Sequence, residues 1–298
     1  MGDTGFHPPV AGSTLPLAPV ETGDVERTRG GLVALARSGF AWVDIVDSWL
    51  AFGDLTSIEA VELGASLADV GMSLAGLSAI RRSVIDPIDG DANLAYTHRA
   101  LDVAAALEAP VLSIGFHRPL TDLQREWAFW VVPGPSDGPE LWDLAVSRLC
   151  ELAGHASAVG VALSLELYED TLIGSGALAA RLVEAVGSDA LGINADLANL
   201  YRVPRRLEES WQETLQHSLP YLNYWHVKNY RRVEGYPDGP FLAWPAPLAD
   251  GDINYRHALH LAAEAGYAGP ICVEHYGGDG LTAQRAGLQY LETLLEEM

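Results

Sequence analysis

Short apolar runs alternate along this chain with segments of helical period, and that alternation leaves few folds open. The runs are Trp42-Val43-Asp44-Ile45-Val46, Met72 to Leu77, Val111 to Phe116, Val161 to Leu165, Leu191 to Ala195, Leu222 to Trp225 and Ile271-Cys272-Val273. Near-continuous apolar stretches of this length read as strands of a parallel sheet covered on both faces. An eighth strand, first in the chain, is written only faintly, near Gly12 to Leu17. Between the runs, Leu141, Leu144, Ala145, Leu149 and Leu152 fall on one helical face, as do Leu178, Leu182, Val183 and Val186. Gly39, Gly71, Gly160, Gly187 and Gly266 stand where helices are expected to close before the next strand.

Such a pattern closes either as an open doubly wound sheet or as a barrel. No Gly-rich phosphate loop follows the first strand, and eight units in 298 residues favour the barrel. The expectation is one domain over residues 1–298, a single (β/α)8 TIM barrel of the α/β class. Two segments rich in Pro and Gly, Val131 to Pro139 and Glu234 to Gly251, are expected as loops at the C-terminal face, where such barrels build their sites.

Four successive runs end on a metal-ligating side chain: Leu163-Ser164-Leu165-Glu166, Ile193-Asn194-Ala195-Asp196, Tyr224-Trp225-His226 and Ile271-Cys272-Val273-Glu274. Any one such residue at a strand end is commonly a capped or ion-paired structural group. Four in the same relative place converge at the mouth of a barrel. Three ionised carboxylates cannot share a poorly solvated mouth without a cation to balance them. Three carboxylates and one imidazole suit Mn2+ first, with Mg2+, Co2+ or Zn2+ as further options.

The net charge of −22, from 18 Lys and Arg against 40 Asp and Glu, argues against nucleic acid and anionic membranes as partners. Cys150 and Cys272 are the only cysteines, which excludes a disulfide framework and a thiolate zinc site. Met1 to Pro9 shows neither a basic nor an apolar leader region, and no apolar run approaches the roughly 20 residues of a membrane span. A cytoplasmic protein is expected.

The motifs Ser164-Leu165-Glu166-Leu167-Tyr168-Glu169-Asp170, Asp196-Leu197-Ala198-Asn199, His226-Val227-Lys228-Asn229, Gly251-Asp252-Ile253-Asn254-Tyr255 and Val273-Glu274-His275 resemble one family. It is that of the xylose-isomerase-like barrels of sugar phosphate isomerases and epimerases, which include the ketose 3-epimerases. The resemblance runs from about the second strand to the C-terminus. It implies that Glu166, Asp196, His226 and Glu274 hold one metal ion, that Glu166 and Glu274 are also the acid/base pair, and that Arg232 contacts substrate. The chain departs from the epimerase pattern in carrying Asn199, read as a substrate contact, where a second histidine is common. It also carries Leu172 where a second glutamate is common.

Further candidates flank these. His117, at the end of the fourth strand, Val111 to Phe116, points at the mouth as a substrate contact or proton shuttle, or else anchors a loop. Lys228, two residues past His226, shares its direction and either polarises a substrate oxygen or pairs with a carboxylate. Asp252 either binds substrate or, the favoured reading, caps the helix near Tyr255, and His275 reads as an outward packing residue. Trp127, Trp130, Trp142 and Trp244 sit partly on loops, where aromatic faces stack on sugars or pack beneath a lid; Trp244 is taken as a substrate contact.

The reading is a divalent-metal-dependent isomerase or epimerase of a small carbohydrate, acting by proton abstraction next to a carbonyl. A metal-dependent lyase that opens a 3-oxo-glycoside by elimination, similar to C-glycoside deglycosidases, and an inosose-type dehydratase share the same enolate chemistry. A non-catalytic sugar-binding protein is the rival of another class. A homo-oligomer or a complex with a partner subunit is expected.

Overall fold

The computed structural model describes residues 5–235 and 239–298. Residues 1–4, part of the stretch read for a leader, and 236–238, within the second Pro- and Gly-rich segment, lie outside the described residues. Eight parallel strands close a barrel: β1 (Val10–Ser13), β2 (Trp42–Val46), β3 (Ser73–Ala79), β4 (Val111–Ile114), β5 (Ala162–Glu166), β6 (Leu191–Asn194), β7 (Leu222–Val227) and, after an inserted hairpin, β10 (Ile271–Val273). Strand β1 pairs with both β2 and β10, which removes the free edge. Around it lie α1 (Val25–Arg37), α2 (Ser57–Asp69), α3 (Gly90–Ala106), α4 (Asp122–Glu126), α5 (Trp142–Val159), α6 (Gly176–Val186), α7 (Leu197–Tyr201), α8 (Trp211–Ser218), α9 (Tyr255–Glu264) and α10 (Gly280–Glu296).

The single barrel expected from the sequence is the fold observed, with three corrections. The faint first strand is Val10–Ser13, and the chain has left it before Leu17. It carries little bulk, and at Gly12 the reason is Phe40: a Cβ there would come within 2.8 Å of that ring. Leu144 and Leu178 do not join the buried face of their helices; they are 38% and 37% exposed. The segment Glu234 to Gly251 is not all loop, since β8 (Asn229–Glu234) and β9 (Phe241–Ala246) pair there as an antiparallel hairpin. The glycine signals hold. Gly160 and Gly187 cap α5 and α6 with φ of 75° and 63°, a left-handed conformation that a side chain disfavours.

Inside the barrel, Ala11, Ala75, Val111, Tyr224 and Cys272 form a small apolar cluster separate from the larger core between strands and helices. Gly76 makes room for Tyr224, because a Cβ there would stand 3.0 Å from the phenol oxygen. The Tyr224 hydroxyl donates to Asp44 Oδ1 at 2.8 Å. The interior is therefore polar immediately beside the ring of ligand-type residues. Among the described residues, no helix is long and apolar enough to cross a membrane.

Candidate metal centre

Glu166 is the last residue of β5, His226 lies in β7, Asp196 stands two residues past the end of β6, and Glu274 follows β10 directly. Ligand-type atoms of these four residues all lie within 4.8 Å of one another. His226 Nδ1 is 3.8 Å from Glu166 Oε1 and 3.4 Å from Glu274 Oε1. All four side chains are buried. Lys228 reaches in from the end of β7 and bridges Asp196 and Glu274, lying 2.7 Å from Glu274 Oε2.

Each ligand is held from behind. Asp196 caps α7 by accepting from Asn199 N at 3.2 Å. The Asn199 amide donates to Glu166 Oε1 at 2.9 Å and to Leu167 O at 3.0 Å, which leaves Glu166 Oε2 facing His117 Nε2 at 3.7 Å. His226 is fixed on its far side: Nε2 lies 3.4 Å from Ser78 Oγ and 4.0 Å from Asp44 Oδ2, and Ser78 also donates to Asp44. Only Nδ1 of His226 faces the cluster, the arrangement of a metal-binding imidazole steadied by a carboxylate and a hydroxyl.

The electrostatics are those of too much negative charge in too little water. Burial lowers the pKa of His226, but Glu274, Glu166 and Asp44 outweigh it and push the ring up to about 10. Burial raises Asp196 to about 6, with Lys228 opposing and Glu166 and Glu274 adding to the rise. For Glu166 burial is outweighed by His117, His226 and Lys228, and its carboxyl is held below the ordinary value. For Lys228 burial is overcome by Asp196 and Glu274, which keep the ammonium charged. The cluster calls for a cation at His226 Nδ1, a buried atom without a hydrogen-bond partner. A divalent ion fits that demand and the oxygen-rich donor set.

The model of the xylose isomerase-like TIM barrel family matches residues 32–294 of the chain. The chain belongs to that family. A xylose isomerase-like TIM barrel protein from Mycobacterium smegmatis, solved in complex with magnesium, is 35% identical over 100% of this chain and 99% of its own, with a TM-score of 0.90. D-psicose 3-epimerase from Clostridium cellulolyticum H10 is 18% identical over 96% of this chain and 99% of its own, at a TM-score of 0.70. A 3-keto-D-glucoside 4-epimerase from E. coli is 16% identical over 96% and 100%, also at 0.70. The chain matches no curated protein.

In this xylose isomerase-like barrel the residues singled out from sequence are placed unevenly. Glu166, Asp196, His226, Glu274, Lys228 and His117 meet. Asn199 joins them as an anchor of Glu166. Arg232 does not: its guanidinium donates to the carbonyls of Tyr201, Val203 and Arg205 and to Glu234. Trp244 is 47% exposed on the hairpin, opposite Arg231, and the structure does not bring it to the cluster. Trp127 is 60% exposed, whereas Trp130 donates to Ala243 O and packs on Phe129 and Tyr276. Asp252 is not a cap: it accepts from Arg231, from Tyr201 and from Arg232 N, and Asn254 caps α9.

Sequence reasoning passed over several residues of the site. Asp44 stood in plain view, a carboxylate inside an apolar strand. Glu169 and Arg202 form a buried two-bond ion pair at 2.9 and 3.0 Å. The rings of Phe129, Tyr168 and Tyr276 lie 4.6, 5.2 and 5.5 Å from that guanidinium. Arg81, at a positive φ of 56°, lies over the Phe129 ring and donates to the Tyr168 hydroxyl at 3.2 Å. Together these groups roof the cluster.

Proposed function

We propose that the protein is a divalent-metal-dependent isomerase or epimerase of a small carbohydrate, working by proton transfer next to a carbonyl. The observation that carries this reading is the buried convergence of Glu166, Asp196, His226 and Glu274, which brings two glutamates, from the ends of β5 and β10, to one cluster. Their donor set suits Mn2+ or Mg2+. Such an ion would draw electron density from the substrate carbonyl and the neighbouring hydroxyl.

The chain's own groups supply the proton chemistry. Glu166, its Oε1 tied down by Asn199, presents Oε2 as the base that removes the α-proton, and the C–H electron pair moves into an enediolate. Glu274, when it starts the cycle protonated, gives its proton to the enediolate while Glu166 keeps the one it took, and exchange with solvent resets the pair. Delivery to the same carbon from the opposite face inverts it, and delivery to the neighbouring carbon isomerises the sugar. Lys228 spreads its positive charge over Asp196 and Glu274, and the roof leaves each of the four ligands 5% exposed or less. The same proton abstraction on a 3-oxo-glycoside would expel a group two carbons away. The aromatic roof of Phe129, Tyr168 and Tyr276 favours that lyase as the second reading, because it suits a planar leaving group. We place the protein in the cytoplasm, where its two free cysteines, Cys150 and Cys272, stay reduced.

The test is deuterium uptake from solvent into ketoses and oxidised glycosides by the Mn2+-loaded protein. Uptake without release of a fragment marks the isomerase or epimerase, and release marks the lyase. Chelation should abolish uptake and Mn2+ restore it. Glu166→Gln and Glu274→Gln should each lose roughly 10³-fold or more. Full uptake in either variant would remove the proposed pair, and unaltered sugar binding without any turnover would leave a binding protein.

A further inference from the structure

Around the mouth of the barrel, cations are matched with carboxylates. Arg118 holds Asp137, Arg202 holds Glu169 and Arg205 holds Asp170, while Lys228 is shared by Asp196 and Glu274. Arg81 is the exception. It stands two residues past β3, and its guanidinium donates to the Arg118 carbonyl at 3.1 Å and to the Tyr168 hydroxyl at 3.2 Å, both neutral acceptors. Among the described residues it forms no ion pair, in a chain with 40 Asp and Glu for 18 Lys and Arg. The other arginines without a carboxylate among the described residues, Arg37, Arg181, Arg206 and Arg285, are exposed, whereas Arg81 is half-buried.

Two further features show that this charge is held in place and left open. The backbone of Arg81 has a φ of 56°, a left-handed conformation that a residue with a side chain keeps only where its surroundings impose it. The Phe129 ring, its centroid 5.2 Å from Cζ, attracts the cation but cancels none of its charge. Beside the guanidinium lies a small polar cavity, lined by Arg81, His117, Arg118 and Tyr168 and, from the segment between β4 and α5, by Gln124 and Gly134. The two carboxylates in its wall, Glu169 and Asp170, are those already matched to Arg202 and Arg205. The cavity is thus left with one uncompensated positive charge. His117 lines it and also faces Glu166 Oε2 at 3.7 Å, so the cavity adjoins the metal centre.

A guanidinium has five N–H groups, and the two hydrogen bonds here leave three for an anion. We propose that Arg81 binds a carboxylate carried by the sugar, so that the substrate is a sugar acid rather than a neutral sugar. The charge count selects a carboxylate over a phosphate. One free guanidinium balances one negative charge; a phosphate ester carries about −1.5 to −2 and would need a second free cation, which the described residues of the cavity do not offer. The assignment rests on the carbohydrate reading of the metal centre and narrows it.

The experiment compares three ketoses that differ only at C6: D-fructose with a hydroxymethyl group, D-fructuronate with a carboxylate, and D-fructose 6-phosphate. Calorimetry follows their binding to the Mg2+-loaded full chain, and deuterium uptake from solvent into each sugar is scored separately. D-fructuronate should bind at least about tenfold tighter than the other two. Arg81→Met should remove that preference and leave fructose binding unchanged, and Arg81→Lys, which keeps the charge but not the planar fork, should recover only part of it. Fructuronate bound no tighter than fructose by the unmutated protein, tighter binding of the phosphate than of the uronate, or all three sugars weakened alike by Arg81→Met would each overturn the subsite. The carboxylate preference without deuterium uptake would sink the proton-transfer reading and spare the subsite; uptake without the preference would do the reverse.

Discussion

Asp44 touches none of the four ligands closely, yet it decides how His226 presents itself. Fully buried, it holds Ser78 at 2.9 Å and Tyr224 at 2.8 Å, and with Ser78 it faces Nε2 of the ring. Asp44→Asn should weaken metal binding about 10- to 100-fold, and saturating metal should largely restore turnover. Calorimetry beside kinetics at high metal separates this from general damage, in which added metal would rescue nothing. His117 permits a pH prediction. Burial without a hydrogen-bond partner lowers its pKa from 6.5 to about 4. The folded state thus prefers the neutral ring, so this stability is present above pH 6.5 and lost as pH falls toward 4, up to about 3 kcal/mol. His117→Gln should flatten the acid side of the unfolding free energy by that amount; an unchanged slope would contradict it. The four ligands were legible because each ends an apolar run. Ser78 and Tyr224 were not, because they meet Asp44 from 34 and 180 residues away.

At the scale of elements, the segment between β4 and α5 has the decisive task. It carries Phe129 and Trp130 onto the roof, and beneath it each ligand of the cluster is 5% exposed or less. A substrate reaches the cluster only if something yields, and this segment, with short helices and few backbone hydrogen bonds, is the weakest cover. Amides across residues 127–138 should exchange with deuterium much faster than those of β5, and should slow when a bound ligand holds the roof down. Protection equal to that of β5 without ligand would assign entry elsewhere. The barrel strands could be read from sequence because both faces are covered. The hairpin β8–β9 could not: Arg231, Val233, Leu242 and Trp244 face solvent and Pro245 interrupts the pattern, so its residues carry the composition of a loop.

The whole molecule is a closed ring, and the ring closes late. Strand β1 is seamed to β10 by Val10 opposite Ile271, and Gln284 of α10 donates to Ser13 O at 3.1 Å. The number of βα units was legible in the alternation; the seam was not, because β1 is four residues long and three of them, Ala11, Gly12 and Ser13, are small, Gly12 fitting against Phe40. The four ligands enter the chain in the order 166, 196, 226 and 274, so the last arrives with the strand that completes the circle. A ribosome adding roughly 5 to 20 residues per second leaves β1 waiting tens of seconds for its second neighbour. Until then the nascent chain exposes an unpaired strand edge and an incomplete ligand set. An ion held by all four residues would therefore load only onto the finished polypeptide, and the growing chain needs shelter until its first and last strands meet.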